Sequence, residues 1–206
     1  MKIRQATSAD IEAVSRVHIA AFPGFFLTRL GFGFLCELYR GFLNHAEGVL
    51  MVAEADDGEL IGFVAGTTAP DRFFADLRRA RALHFVLHAV PALIRSPSLV
   101  AAKLYSALFY RGDKPANLEG GSLLSSIGVA PGVVGKAVGM ALLTRFEQEA
   151  FARGTPFVYL TTDAIDNDRV NHFYTRNGYV VESRFMQGGR RPMLRYMKQA
   201  APAVGV

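Results

Sequence analysis

The segment from Ser122 to Ala150 constrains the fold more than any other part of the chain. A β-type run ends at Val129, a Pro-Gly turn and a loop of small residues follow, and an apolar helical stripe begins at Val138. A strand that passes through such a loop directly into a helix is a building unit of α/β folds. The sequence therefore predicts an α/β fold in which a helix N-terminus lies at the end of a strand.

Alternating and helical patterns extend this prediction along the chain. Strands are expected near 2–5, 49–53, 61–65, 122–129, 157–162, 179–184 and 193–198. Helices are expected at 11–21, 25–42, 138–152 and 168–176, and between 71 and 111 with breaks at Pro91 and Pro97. The pattern indicates a single domain over 1–206 with a helical insertion at about 69–116.

Composition narrows the class of protein. Cys36 is the only cysteine of the 206 residues, so an intramolecular disulfide or a cysteine-based zinc site is excluded, and no metal is expected. The start at Met1 has no apolar signal core, and no apolar run reaches the roughly 18 residues of a membrane span. We expect a cytoplasmic protein without stable membrane insertion.

The net charge of +5 is concentrated in the insertion. Residues 69–116 hold eight Lys or Arg and three Asp, which leaves the remainder of the chain balanced. A local basic block is more typical of a solvated helix face than of a nucleic-acid-binding protein, so no nucleic-acid partner is expected. Peripheral contact with an anionic membrane or an acidic acceptor through this insertion stays open.

The glycine loop fits neither common nucleotide motif. A Walker loop needs a glycine where Ala130 stands and a hydroxyl residue where Ala137 stands, and the spacing of Gly132, Gly135 and Gly139 is not that of a Rossmann loop. Two interpretations remain, an ordinary strand-to-helix turn and an anion site formed by main-chain N–H groups at a helix N-terminus.

A second motif lies about thirty residues further on, from Asn167 to Tyr179. Together the two segments resemble the GCN5-related N-acetyltransferase (GNAT) superfamily, whose loop reads Arg/Gln-x-x-Gly-x-Gly/Ala and whose later helix reads Asn-x-x-Ala-x-x-Phe/Leu-Tyr-x-x-x-Gly-Phe/Tyr. The second pattern matches closely, at Asn167, Phe173, Tyr174, Gly178 and Tyr179. The first departs from the family at Val134 and Ala137 and keeps Gly139.

The resemblance implies the GNAT fold, a mixed central sheet of about seven strands flanked by helices, and acetyl-CoA as cosubstrate. It implies that the main chain of Ile127, Gly128 and Val129 pairs with the pantetheine amides, while Asn167 contacts the cofactor arm. The residues whose N–H groups would bind the pyrophosphate are Val134, Gly135, Lys136, Ala137, Val138, Gly139 and Met140.

The same resemblance assigns catalytic and acceptor residues. Tyr174 matches the tyrosine that protonates the CoA sulfur, and Tyr174 also lies in the cofactor site. A packed helix tyrosine is the structural alternative. Glu119 is the candidate general base, and Asp163, His172 and a water relay are further alternatives. Acceptor contacts are expected at Phe25, Phe26 and Arg29, near the junction of the first two helices.

These residues predict an acetyl-CoA-dependent N-acetyltransferase that acts on a small-molecule amine by direct transfer. A CoA-binding module with little catalysis is one alternative. Val134 and Ala137 stand where the family loop has Arg or Gln and glycine, and Leu123 stands where some family members carry a glutamate on the strand before the loop. A membrane-surface acyltransferase that uses longer acyl chains is another. The protein is expected to be a monomer or a homodimer.

Overall fold

The computed structural model describes residues 1–95, 118–133 and 137–201. Seven strands lie in these ranges: β1 Lys2–Gln5, β2 Gly48–Glu54, β3 Leu60–Thr67, β4 Ser122–Val129, β5 Phe157–Asp163, β6 Val180–Gln187 and β7 Arg191–Gln199. The α-helices in these ranges are α1 Ile11–Ala21, α2 Phe26–Leu30, α3 Phe32–Asn44, α4 Pro70–Arg95, α5 Val138–Ala152 and α6 Asp168–Arg176.

The strands form one mixed sheet in the order β1-β2-β3-β4-β5-β7-β6. Neighbouring strands are antiparallel, with the exception of the parallel pair β4 and β5. A parallel pair needs a crossover, and α5 supplies it. The predicted mixed seven-stranded sheet, with a helical segment between β3 and β4, is confirmed.

Helices cover both faces of this sheet. Side chains alternate between the faces of a strand, and on β3 Phe63 packs with α1 and α3 whereas Val64 packs with α5. The two faces are referred to below as the α1/α3 face and the α5/α6 face. Each strand in the middle of the sheet is therefore buried on both sides, which explains the nearly unbroken apolar runs of β2 and β3.

Two helix predictions needed correction. The helix expected from 25 to 42 is divided, because Gly31 lies between α2 and α3 with a φ of 97°, in the region that favours glycine. The break expected at Pro91 is absent, since α4 continues through Pro91 to Arg95. The neighbouring Leu87 and Val90 are exposed, so water can reach this side of α4 and bond the carbonyl that loses its helical partner. Pro97 and the remainder of the insertion lie outside the described residues.

Ion pairs neutralise part of the basic charge on α4. Arg81 pairs with the buried carboxylate of Glu37 on α3, and Arg72 and Arg79 both lie within 4 Å of Asp76. In the described part of the chain, no helix is long and apolar enough to cross a membrane. The solvent side of α4 carries the exposed apolar residues Leu83, Val86, Leu87, Val90 and Ile94.

The packing of α5 on the sheet gives a stability prediction. Leu142 is fully buried, and a Cβ placed on Gly62 of β3 would lie 3.0 Å from it. We expect Leu142→Ala to lower the free energy of unfolding by roughly 2–5 kcal/mol, because the close-packed site can collapse only partly. Urea denaturation measures this change. Thr144→Ala, at an exposed position of the same helix, is the matched control and is expected to stay within about 0.5 kcal/mol of the parent protein.

Candidate functional site

The centre of the sheet opens between β4 and β5. The two strands pair only at Ser122 with Val158 and at Leu123 with Tyr159. Beyond these pairs β4 continues beside β3, while β5 continues beside β7 to Asp163. The main chain of β4 from Leu124 onward thus has no strand partner on its β5 side in the described sheet. This gap is referred to as the β4–β5 opening.

A bulge in β4 lies where the opening begins. Ala65 of β3 pairs with Ser126 and Gly66 pairs with Leu124, so Ser125 is the extra residue. Bulges bend the strand that carries them and increase its twist. The bulge therefore helps to turn β4 away from β5. The free main-chain groups along the opening need hydrogen-bond partners, which water or an extended ligand can supply.

The N-terminus of α5 lies beside the opening. A Cβ placed on Gly139 would lie 3.7 Å from Phe173 of α6 and 3.9 Å from Val129 of β4. Three segments that the sequence assigned to one cofactor site are thus brought together. The first-turn N–H groups of Val138, Gly139 and Met140 have no partner within the helix, and the helix dipole favours an anion there. Val134, Gly135 and Lys136 lie outside the described residues.

Ala137 precedes this helix in a left-handed conformation. Its φ is 51° and its ψ is 17°, and its carbonyl accepts the N–H of Ala141 at 2.9 Å. A residue with a Cβ pays roughly 1 kcal/mol or more in this region, where glycine pays little. Ala137 is one of the two positions where the sequence departs from the family pattern, and the family's glycine matches the conformation found here.

The first turn of α6 is attached to the end of β5. Asn167 occupies the N-cap position, but its side chain does not cap the helix. Its amide nitrogen instead donates to the Thr162 hydroxyl and, at 3.3 Å, to the Asp163 carbonyl. These bonds fix the Asn167 side chain at the rim of the opening. The resemblance implies that Asn167 contacts the cofactor arm, and the structure places its side chain at this rim.

Asn171 is a site residue that sequence reasoning missed. Its amide nitrogen donates to the Asp163 carbonyl at 3.1 Å, and its side-chain oxygen is buried with no hydrogen-bond partner among the described residues. An unpaired buried acceptor is costly unless a ligand or water completes it. The available signal was its position one helical turn after Asn167, which places both amides on the same side of α6.

Tyr174 lies in the packed interface between α6 and the sheet. It is 5% exposed, and its ring centroid lies 5.6 Å from that of Tyr179 and 5.8 Å from that of Tyr196. Ile127 and Val129 of β4 pack against the same cluster. Burial raises the pKa of the Tyr174 hydroxyl, because the phenolate would lose its hydration. The hydroxyl thus stays protonated at neutral pH and can serve as a hydrogen-bond donor.

The candidate bases lie in different environments. Glu119 is exposed in the turn before β4, at the end of the strand that is still paired with β5. Asp163 lies near the opening but is held by Arg191 in a two-bond ion pair. His172 is exposed on α6. The described residues contain no group of three or more His, Cys, Asp or Glu side chains that could hold a metal ion.

The expected acceptor residues lie on the α1/α3 face. A Cβ on Gly128 would lie 3.1 Å from the Phe22 ring, so the end of α1 packs closely on β4 beside the opening. Phe25 is 48% exposed, and the Arg191 guanidinium lies 6.0 Å from its ring centroid. Phe26 is partly buried against the core and Arg29 is exposed. Arg191 also binds Asp163 at the end of β5. Of the three expected acceptor residues, Phe25 is therefore linked to the end of β5 through Arg191.

A buried polar pair on the same face was not anticipated from the sequence. His18 of α1 is 3% exposed, and its Nδ1 lies 2.6 Å from the Tyr39 hydroxyl of α3. Its Nε2 is buried without a partner in the described structure. The rings of Phe22 and Phe63 pack around it, with centroids at 4.9 and 6.1 Å. Burial lowers the pKa of His18 to about 4, so the imidazole is neutral at pH 7.

The sheet has one parallel pair of strands, and this pair separates beside the N-terminus of a helix. This arrangement is the one expected of an acetyltransferase of the GNAT type. The model of the Acetyltransferase (GNAT) family matches residues 106–179. A search of curated proteins gives no match.

Solved structures share the fold over nearly the whole chain. A GNAT-family acetyltransferase from Desulfovibrio desulfuricans is 19% identical with a TM-score of 0.64, covering 97% of this chain and 99% of its own. Aminoglycoside 6'-acetyltransferase type Ii is 17% identical with a TM-score of 0.63, covering 98% and 99%. PaiA N-acetyltransferase from Thermoplasma acidophilum, solved with coenzyme A, is 17% identical with a TM-score of 0.58, covering 97% and 98%. The family model matches part of the chain, and the solved structures show that nearly the whole chain shares the fold of these acetyltransferases.

The conformation of Ala137 predicts an unusual stabilising substitution. Ala137→Gly is expected to raise the free energy of unfolding by roughly 1 kcal/mol, because glycine adopts a positive φ without steric cost. Ala141→Gly, in the interior of the same helix, is the matched control and is expected to lower it by about 1 kcal/mol. Thermal and urea unfolding measure both. Equal destabilisation by the two substitutions would contradict the left-handed conformation.

The buried imidazole predicts acid sensitivity. The folded pKa of about 4 lies below the ordinary 6.5, so the unfolded state binds more protons between these values and stability is lost as pH falls through this range. The total loss is expected to approach roughly 3.5 kcal/mol, at about 1.4 kcal/mol per pKa unit. His18→Asn should flatten this slope between pH 6.5 and 4.5, whereas His172→Asn at an exposed site should not. An unchanged slope in the His18 variant would contradict the assignment.

Proposed function

We propose that the protein is an acetyl-CoA-dependent N-acetyltransferase that acts on a small-molecule amine. The observation that carries this proposal is the β4–β5 opening, with free main-chain groups on one side and the first turn of α5 at its end. An extended, amide-bearing ligand with a terminal anion fits both features. Two similar folds belong to enzymes named as N- or aminoglycoside acetyltransferases, one of them with coenzyme A bound, which supports this choice.

Main-chain groups would hold most of the cofactor. Ile127, Gly128 and Val129 would pair with the pantetheine amides, and the N–H groups of Val138, Gly139 and Met140 would bind the pyrophosphate. The family resemblance adds Val134, Gly135, Lys136 and Ala137 to the pyrophosphate site. Asn167 and the unpaired oxygen of Asn171 would complete the arm contacts. Acetyl-CoA, when bound, supplies the acetyl group as a thioester with a thiolate leaving group.

Tyr174 would act on the leaving sulfur. Because burial keeps its hydroxyl protonated, Tyr174 can donate a hydrogen bond as negative charge develops there. The raised pKa makes complete transfer of the proton less favourable than donation of a hydrogen bond. In this role Tyr174 stabilises the departing thiolate through a hydrogen bond, and water supplies the proton that completes the free thiol.

The acceptor amine would approach from the α1/α3 face. Phe25, Phe26 and Arg29 lie in the segment after α1, on this side of the sheet. The exposed ring of Phe25 offers an apolar contact beside the opening. Glu119 stays a hypothesis for the base, and its place at the paired end of β4 favours a water relay between it and the amine.

Tyr174→Phe tests the proposal most directly. We expect acetyl-CoA to raise the melting temperature of both the parent protein and the variant, because the ring and the packing are kept. Turnover, measured as free thiol released with an accepted amine, should fall roughly 100- to 1,000-fold in the variant, in the range that loss of one prepared donor to developing charge produces.

Tyr196→Phe is the matched control, since it removes a hydroxyl from a ring in the same stack. Its turnover should stay close to that of the parent protein. Equal turnover in the Tyr174 variant would refute the assigned role, and absence of any stabilisation by coenzyme A would refute the cofactor assignment.

A CoA-binding module is the second candidate, and a specific observation favours it. Ala137 strains the loop where the family has glycine, which weakens the pyrophosphate site relative to other members. Stabilisation by coenzyme A without thiol release across a panel of aliphatic, aromatic and sugar amines would support the module and exclude the enzyme.

A further inference from the structure

The exposed ring of Phe25 has arginines as neighbours on two elements. Phe25 is 48% exposed, and the Arg191 guanidinium at the start of β7 lies 6.0 Å from its ring centroid. Arg29 follows Phe25 by one helical turn, and its N–H donates to the Phe25 carbonyl at 3.1 Å. Because residues four apart are neighbours on a helix surface, Arg29 lies beside Phe25. An apolar group and positive charge thus occur together on the α1/α3 face.

A row of contacts connects this group to the β4–β5 opening. The Phe25 ring packs edge-on against the Phe22 ring, with centroids 5.5 Å apart. Phe22 in turn packs on Gly128 of β4, where a Cβ would lie 3.1 Å from its ring. Asp163, which binds Arg191, is the last residue of β5 on the other side of the opening. The aromatic ring and the ion pair therefore lie at the same opening.

Asp163 uses only one edge of the Arg191 guanidinium. Nε and Nη2 each donate to one oxygen of the Asp163 carboxylate. A guanidinium carries five N–H groups, so both hydrogens of Nη1 and the second hydrogen of Nη2 remain without a partner among the described residues. One hydrogen of each nitrogen points the same way, which forms a second edge for two parallel bonds to a carboxylate. Asp163 fixes the plane of the guanidinium, so this free edge is oriented before a ligand binds.

The charge around Phe25 favours an anion. Asp163 balances one of the two arginines. Arg29 is exposed and makes no ion pair with residues 1–95, 118–133 or 137–201. The Arg191 side chain is still half-exposed in its pair, so a ligand can reach its free edge. The remaining positive charge attracts a carboxylate and repels a polycationic amine.

We propose that the acceptor is an amine that also carries a carboxylate and an apolar group, as an amino acid with an apolar side chain does, and that Arg191 selects for the carboxylate. This inference rests on the proposed acetyltransferase function. The carboxylate would bind the free edge of Arg191, and the apolar group would cover the exposed ring of Phe25. Positive charge nearby also favours the neutral form of the amine, which is the form that attacks an acetyl group.

Paired substrates test the role of Arg191. L-phenylalanine and L-phenylalaninamide share the ring and the amine and differ in the carboxylate. We expect the ratio of their kcat/KM values, acid over amide, to fall roughly 10- to 100-fold in Arg191→Gln, because a two-bond pair with a carboxylate is lost. Comparing this ratio between parent and variant cancels differences between the two amines. Arg191→Lys keeps the charge without the second edge and should recover only part of the ratio.

Arg190→Gln is the matched control. Arg190 is exposed in the turn before β7, so its substitution removes the same charge one residue away. The acid-to-amide ratio of this variant should equal that of the parent protein. A parent-like ratio in Arg191→Gln, or equal falls in both variants, would overturn the proposal. Release of thiol with other amines would show that the acetyltransferase function stands in that case.

Binding measured by calorimetry does not depend on turnover. With coenzyme A present, L-phenylalanine should bind the parent protein roughly 10- to 100-fold more tightly than it binds Arg191→Gln. The amide should bind both proteins equally. Equal binding of L-phenylalanine by the two proteins, or no binding by the parent, would overturn the role of Arg191. If coenzyme A itself does not bind, the proposed function fails separately, and the same comparison of acid and amide on the protein alone decides the role of Arg191.

Discussion

The separation of two parallel strands in the middle of the sheet is the constraint on which the site depends. Strands β4 and β5 share only two residue pairs, although each is firmly paired on its other side. A bulge at Ser125 bends β4 where the divergence begins. Main-chain groups that would complete a sheet elsewhere are thus presented to a ligand. The fold tolerates this gap because strong antiparallel ladders on both sides retain the strands.

A site formed by main-chain groups places weak demands on side chains. Val138, Gly139 and Met140 offer the same N–H donors whichever side chains they carry, so long as no bulk blocks the approach. What such a site does require is conformation. Ala137 illustrates this, since the structure holds it at a positive φ where the family pattern has glycine. Alanine in place of glycine at position 137 therefore affects the free energy of forming the loop more than it affects the number of N–H donors.

Much of the fold could be predicted because it depends on local patterns. Alternating or continuous apolar runs located all seven strands, and the Asp168–Arg176 helix followed from its motif. The errors concern single residues, Gly31 and Pro91, whose effect on a helix depends on the local conformation and on solvent exposure. Pro91 continues α4 although proline usually ends a helix, and Gly31 divides a segment whose apolar spacing favoured a single helix.

Residues on one side of the candidate site could be predicted from the sequence, whereas the buried polar residues on the other side could not. On the α5/α6 face, Asn167 and Tyr174 lie within one short motif, and the strand with its loop forms a second. On the α1/α3 face, His18 and Tyr39 come from two different helices and lie 21 residues apart in the sequence. No spacing rule connects them. A histidine on an apolar helix face is ordinarily a satisfied core residue, and only its coordinates reveal a nitrogen without a partner.

This unsatisfied nitrogen bears on why the polar pair is present at all. A buried imidazole and phenol of this kind cost stability compared with apolar side chains of similar volume, because one polar atom stays unpaired. Apolar neighbours such as Phe22 and Phe63 already fill the surroundings, so packing alone does not call for a histidine. The buried pair therefore lowers the stability of the fold without a packing gain that would offset its unpaired nitrogen.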